Sequence, residues 1–283
     1  MTMPDGGTLQ SIRFPVVPPL KWAGGKRWLV ERILRRISIP YSRLIEPFAG
    51  SAAAFFALRP SRAILCDNNV ELINTYKCIR WNHQRLTSIL QRHAHGHCKE
   101  YYYSIRSESP SDRFERAARL LYLNRTCWNA LYRVNLKGQF NVPIGTKTSV
   151  MLPTDDFGLV SQALVDASLK HSDFQLAIRE AGHGDLIFAD PPYFCTSASG
   201  TFVKYTNPAF SWADQERLAR SMRAAMARGA HFVLTNADTK ALRTLYERTG
   251  HVSAIDRHSV ISGQPKGRRR TTELLWTSFP LDL

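Results

Sequence analysis

Short apolar runs separated by turn residues, not one long periodic pattern, organise this chain. After Gly184-Asp185 come Leu186-Ile187-Phe188-Ala189, four apolar positions without polar alternation. Such a run reads as a central strand buried on both faces of an α/β sheet. Asp190 ends it, and Pro191-Pro192 cannot extend a ladder because neither has an N–H to donate. Similar runs precede it at 43–48 and 63–66 and follow it at 231–235, 252–261 and 273–279. Between them lie segments of helical periodicity, predicted at 27–37, 52–58, 173–180, 212–228 and 239–249. Strand alternating with helix predicts an α/β fold, a Rossmann-like sheet flanked by helices.

The alternation breaks between about Glu71 and Leu164. Helical patterns at 70–93, 100–107 and 113–124 run together, and the stretch from Arg125 to Pro143 reads as a β-hairpin turning at Lys137-Gly138. The expected organisation is a sheet domain made of residues 20–70 and 165–283. Residues 71–164 would form a mostly helical module inserted into it, and residues 1–19 a loose arm without a signal-peptide core. No internal repeat or low-complexity tract is present.

Charge narrows the class of partner. The 283 residues carry 38 basic and 23 acidic side chains, a net +15 with a pI near 9.9. That balance points to a polyanion, most often nucleic acid, although a generally basic protein has the same composition. The five cysteines (66, 78, 98, 127, 195) are odd in number and lack metal-ligand spacing, so they read as reduced thiols and predict no metal site. No apolar run reaches the roughly 18 residues of a membrane span. A cytoplasmic protein without a membrane partner is expected.

Three constellations carry candidate chemistry. Asp190 sits at the carboxyl end of its strand, where open α/β sheets bind ligands. Beside it are a prolyl carbonyl at Pro191, the stiff Pro192, and the ring of Tyr193. A carboxylate, a carbonyl acceptor and a flat ring suit an exocyclic amine on a flat heterocycle; a proline turn with Tyr193 in the core accounts for the same residues. Earlier, Glu46-Pro47-Phe48-Ala49-Gly50-Ser51 makes a tight turn at a strand end. Asp67 closes the next strand, where an acid accepts from ribose hydroxyls. This turn is not a P-loop, so a nucleoside without phosphates, such as S-adenosylmethionine, fits better than a triphosphate; a purely structural turn accounts for these residues equally well. Lys21-Trp22-Ala23-Gly24-Gly25-Lys26 sets two glycines between an indole and a lysine, allowing close backbone approach to a ligand carboxylate; a flexible loop is the alternative. The third constellation is the 128–143 stretch. Arg125, Arg133 and Lys137 with Asn129, Asn135 and Gln139 are side chains that hold phosphates and read base edges, while Trp128 and Tyr132 offer rings to stack or wedge. A packed structural hairpin remains the alternative there.

The ordered set KWAGGK, EPFAGS, CDNN, LYLNRTCWNALYRVNLKGQFNVPIG, FADPPY and RRRTTELLW resembles the Dam-type DNA adenine-N6 methyltransferases over about residues 20–280. The resemblance implies S-adenosylmethionine as cofactor and double-stranded DNA as partner, with the protein acting as a monomer or homodimer. It implies catalytic roles for Asp190, Pro191, Pro192 and Tyr193. Cofactor positions fall on Trp22, Ala23, Gly24, Lys26, Glu46, Phe48, Gly50, Asp67, Asp173, Phe174 and Asp190. DNA contacts fall on Lys21, Arg125, Trp128, Asn129, Leu131, Arg133, Asn135, Lys137, Asn141, Pro143 and Lys147, with Arg133 at the position of a guanine reader. One departure stands out: members acting on GATC often continue the hairpin as G-R-Y-K-x-P, whereas this chain has Gly145-Thr146-Lys147-Thr148-Ser149-Val150. That puts GATC as the full site in question. Methylation of RNA adenine or of a glutamine amide, or a non-catalytic DNA-binding regulator on the same fold, are the competing readings.

Overall fold

The sheet has seven strands. They are β1 (Arg43–Glu46), β2 (Ala63–Asp67), β3 (Ala167–His171), β4 (Asp185–Ala189), β5 (His231–Ala237), β6 (His251–His258) and β7 (Arg270–Thr277), in spatial order β3-β2-β1-β4-β5-β7-β6. The computed structural model describes residues 16–22, 25–26, 29–30, 33, 36–193, 210–258 and 270–281. Strands β1 to β5 are parallel, and β7 runs antiparallel to both β5 and β6. This is the expected Rossmann-like sheet flanked by helices. The sequence also predicts a basic turn with Lys266 and Arg268 to Arg270 before the last strand; Lys266 to Arg269 lie outside the described residues, and Arg270 opens β7.

Period-two alternation sorts the strands into two cores. Leu44, Leu65, Leu186, Phe188, Val233 and Leu275 point to one face, where α1 (Ala53–Leu58), α2 (Val70–Gly96), α3 (Lys99–Ser107), α4 (Arg113–Thr126) and α5 (Phe157–Ala163) contribute buried side chains. Ile45, Ile64, Ile187, Phe232, Leu274 and Trp276 point to the other, against α6 (Phe174–Arg179), α7 (Trp212–Ala227) and α8 (Lys240–Tyr246). β4 is buried at all five positions, as its unalternating sequence requires. The parallel register of β1, β2 and β4 brings Glu46, Asp67 and Asp190 to the same end of three neighbouring strands.

The helical block shares its core with the sheet. α2 is capped by Asn69, whose side chain accepts from the Glu71 and Leu72 amides, and its regular path is broken at Asn82. Its first half stays on the sheet: the Tyr76 hydroxyl donates to the Gly50 carbonyl at 2.7 Å, and Arg80 donates to the Ala167 carbonyl of β3 at 2.7 Å.

Two elements depart from expectation. Strand β3 and helix α5 fall where the sequence pattern gave no element; β3 is an edge strand whose Ser168 and His171 are exposed, so no apolar run marks it. The predicted hairpin forms only a short antiparallel loop. Asn135 and Gln139 pair, Asn141 donates to the Arg133 carbonyl, and Val134 and Phe140 form an isolated bridge. Leu136 at its tip is fully exposed, and the apolar side chains that do turn to the core, Tyr132 and Phe140, are too few to extend the loop into strands.

Candidate active site

Asp190 follows β4 directly and faces the same side as Leu186 and Phe188. The Thr235 hydroxyl on β5 donates to its Oδ1 at 2.5 Å, and the Lys26 ammonium lies 3.3 Å from the same oxygen. Lys26 is 3% exposed and reaches a second carboxylate, Glu273 on β7, at 3.6 Å. It also stands 4.4 Å from the centre of the Tyr193 ring. Burial raises the Asp190 pKa above the ordinary carboxylate range; Lys26 and Thr235 oppose that rise and Glu273 adds to it. Tyr193 is held neutral: burial, then the Asp190 and Glu273 charges, push its hydroxyl far up.

Neighbouring strand ends complete the basin. Glu46 is 3% exposed and accepts from the Phe55 amide at 2.5 Å. Burial pushes its pKa up to about 8, with the Phe55 hydrogen bond opposing and the Asp190 charge adding to the rise. Asp67 accepts from the Gly50 amide at 3.0 Å and the Asn69 amide at 2.9 Å, which fixes the Gly50 turn to the end of β2. Gly50 has a φ of +46°, and a Cβ there would stand 2.8 Å from the Trp22 ring, so both conformation and space demand glycine. Phe48 packs on Phe174 and Phe210 at centroid distances of 5.1 and 5.5 Å, an aromatic wall beside the Glu46 end. Asp173 caps α6 and pairs with Arg217.

On the far side of Trp22 lies the loop of residues 128–143. The indole stacks on Tyr132 at 5.3 Å and 21°. The Lys21 backbone is tied to the Asn124 side chain by hydrogen bonds in both directions, at 3.0 and 2.7 Å. A cavity of about 300 Å³ opens between these elements, lined by Lys21, Trp22, Cys127, Trp128, Asn129, Ala130, Thr146 and Lys147. Trp128 is half exposed at its edge, and Asn129 and Ala130 both hold left-handed φ values of 54°. Arg133 is exposed and donates to Asn141 Oδ1 at 2.7 Å. Leu131 is half-buried and its amide closes the short 3₁₀ turn on Trp128, whose own amide donates to the Pro143 carbonyl. Lys137 is exposed at the tip.

Several sequence-predicted residues do other work. Arg125, expected at the DNA face, is buried in a two-pronged ion pair with Asp155, both bonds 2.7 Å, and also donates to the Val150 and Pro19 carbonyls. It ties the helical block together. Asn135 spends its side chain on the loop's own turn, accepting from the Lys137 and Gln139 amides. Lys26, expected to meet a ligand carboxylate, meets Asp190 and Glu273. Ala23 and Gly24 lie outside the described residues. Sequence reasoning missed Thr235 and Glu273; the only signals were a Thr-Asn at the end of an apolar strand and a single carboxylate directly before Leu274-Leu275-Trp276.

Among the described residues no group of His, Cys, Asp and Glu is arranged to hold a metal ion, and no helix is long and apolar enough to cross a membrane. Residues 22–260 match the sequence model of a family described as D12 class N6 adenine-specific DNA methyltransferase. A type II methyltransferase of Lactococcus lactis subsp. cremoris, M1.LlaDCHI, is 34% identical over 280 residues, 96% of this chain and 98% of its own length. A DNA N-6-adenine-methyltransferase of Escherichia phage P1 is 34% identical over 234 residues, 81% of this chain and 31% of that protein. The DNA adenine methylase of Escherichia coli (strain K12) is 32% identical over 262 residues, 90% of this chain and 93% of its own length.

Proposed function

Because the chain belongs to the D12 class N6 adenine-specific DNA methyltransferases, we propose that it moves a methyl group from S-adenosylmethionine to N6 of an adenine turned out of a short duplex site. The observation that carries this reading is Asp190: a strand-end carboxylate whose Oδ1 is held by Thr235 and Lys26, and which is followed at once by Pro191, Pro192 and Tyr193.

The residues fit the cofactor. Glu46, Asp67 and Asp190 share one end of three adjacent strands beside the Phe48–Phe174 wall, an arrangement suited to a cation joined to a nucleoside. The cofactor supplies an activated methyl group on a sulfonium. The protein's part is to hold the amine. The N6 hydrogens donate to Asp190 and to the Pro191 carbonyl, which draws the nitrogen lone pair out of the ring and aims it at the methyl carbon. With the cofactor bound, Asp190 would be the adjacent acceptor for the proton the nitrogen loses on methylation. Tyr193 stacks on the base; such contacts are worth about 1–3 kcal/mol and offset part of the few kcal/mol needed to extrude it. Most of the acceleration comes from this positioning.

The address is set by the loop around Arg133. Its guanidinium, held by Asn141 without DNA, matches the two acceptors on a guanine edge. Trp128, half exposed at the rim of the cavity, is placed to fill the space a displaced base leaves. The net +15 charge supplies sequence-independent attraction to the duplex, in the cytoplasm where that DNA lies. Gly145 to Val150 replaces the continuation seen where GATC is the target, so we assign one guanine contact and no complete site.

Two measurements test the reading. Purified protein with labelled S-adenosylmethionine should label adenine N6 in duplex DNA, and mapping methyladenine in DNA from expressing cells gives the site. Asp190→Ala should bind DNA as the parent does and transfer no methyl group; robust methylation by that variant would sink the assignment.

A further inference from the structure

We propose that Glu273 is a positioning residue for methyl transfer: it shares the Lys26 ammonium with Asp190 and so keeps Asp190 an acceptor for the amine. This inference rests on the reading of Asp190 given above.

The geometry comes from three elements. β7 pairs antiparallel with β5 so that Glu273 stands opposite Ala237, two residues beyond Thr235 and on the same face. The parallel β4–β5 pairing brings Asp190 to that face as well. Lys26 closes over all three. Its ammonium lies 3.3 Å from Asp190 and 3.6 Å from Glu273, with side-chain exposures of 3%, 20% and 5% respectively. Two carboxylates therefore divide one buried cation, and the group as a whole is anionic. A carboxylate in so dry a place is costly unless it is paired. Lys26 alone would be neutralised by Asp190, so the second anion changes how strongly Asp190 is held, not whether Lys26 is paired.

The consequence for the reaction is direct. Without the Glu273 charge, the ammonium would bear more strongly on Asp190 and compete with the substrate amine for its lone pairs. With Glu273 taking half of the contact, Asp190 keeps acceptor strength on the ligand side. The charged and titratable groups facing Asp190 are Lys26 from the N-terminal loop, Glu46 from β1, Tyr193 just after it, and Glu273 from β7. Of these, Glu273 also bears on the Tyr193 hydroxyl, so its charge is felt at Tyr193 as well as at Lys26 and Asp190. Removing its charge also removes an influence that raises the Asp190 pKa.

The test uses the full-length protein and the Glu273→Gln variant, with kcat measured against pH from 5 to 9 on duplex DNA. We expect kcat to fall about tenfold, the effect of weakening one charge-assisted hydrogen bond. KM for DNA should stay within about twofold of the parent, and the acidic limb of the kcat profile should move to lower pH. A side chain with a packing role alone would lower activity with melting temperature and leave that limb in place; that outcome, or a parent-like kcat, overturns the proposal. Should Glu273→Gln fail to fold, Glu273→Asp carries the test. Its shorter side chain withdraws the charge from Lys26, so kcat falls and the acidic limb again moves to lower pH; a kcat equal to the parent's, or a limb left in place, overturns the proposal. The Asp190 reading is judged separately, by whether the parent labels adenine and Asp190→Ala does not.

Discussion

Glu46 makes the stability of this fold depend on pH in an unusual direction. Its side chain closes β1 with 3% exposure, and its pKa is pushed up to about 8 from an ordinary 4.5. Below pH 4.5 folded and unfolded chains both hold the proton. As pH rises toward 8 the unfolded chain releases it and the folded chain does not, so stability falls by about 1.4 kcal/mol per pH unit, roughly 4–5 kcal/mol across the window. Above pH 8 no more is lost. Glu46→Gln keeps an oxygen to accept from the Phe55 amide but cannot titrate. The stability difference between parent and variant should therefore shift by roughly 4 kcal/mol between pH 5 and pH 8, against the parent at the higher pH. For a chain of this length the unfolding entropy is roughly 0.6 kcal/mol/K, which makes that shift about 7 °C in melting temperature. Thermal melts of both proteins at pH 5, 6, 7 and 8 give the answer, since groups common to both cancel in the difference. Parallel curves would mean that Glu46 is ionised in the fold, and the electrostatic account of the strand-end basin would fail with it.

Arg125→Met should cost about 3–5 kcal/mol in denaturant unfolding, because Asp155 is left buried and unpaired; a loss of DNA affinity at unchanged stability would return Arg125 to the DNA face. Gly50→Ala should cost about 1–3 kcal/mol, from the left-handed backbone and the contact with Trp22. A neutral result by the same assay would contradict the packed turn. Arg133→Ala should lose about 1–3 kcal/mol of discrimination at one base pair, seen as relaxed specificity in methylation of a randomised duplex library. An unchanged preference would take guanine reading away from the loop.

The parts of this fold that were legible in sequence are those whose evidence is local. Leu186 to Ala189 lacks polar alternation because β4 is covered on both sides, and Pro191-Pro192 stops it, so a buried strand ending at a carboxylate could be read directly. β3 could not, since an edge strand buries only alternate residues and Ala167 and Leu169 are too few to stand out. Arg125 is hard to place from sequence for a related reason: composition registers a positive charge, while its burial is decided by Asp155, 30 residues further along. Thr235 and Glu273 are of the same kind. They meet Asp190 and Lys26 through strand pairings with β4 and β5, and no spacing in the sequence announces a contact between residues 26 and 273.

The site also depends on a single ring for its continuity. Trp22 packs beneath Gly50, whose amide is held by Asp67, and it also stacks on Tyr132 in the loop that carries Arg133. The backbone just before it is fastened to Asn124 at both its amide and its carbonyl side, so the indole is not at liberty to swing aside. A movement of Tyr132 therefore either breaks the stack, worth about 0.5–1.5 kcal/mol beyond its buried area, or presses on the Gly50 turn. The sum is small beside the binding energy of a duplex. The chemistry proposed for Asp190 and the address proposed for Arg133 are thus separate in sequence, 57 residues apart by their numbers, yet the elements beside them meet at Trp22.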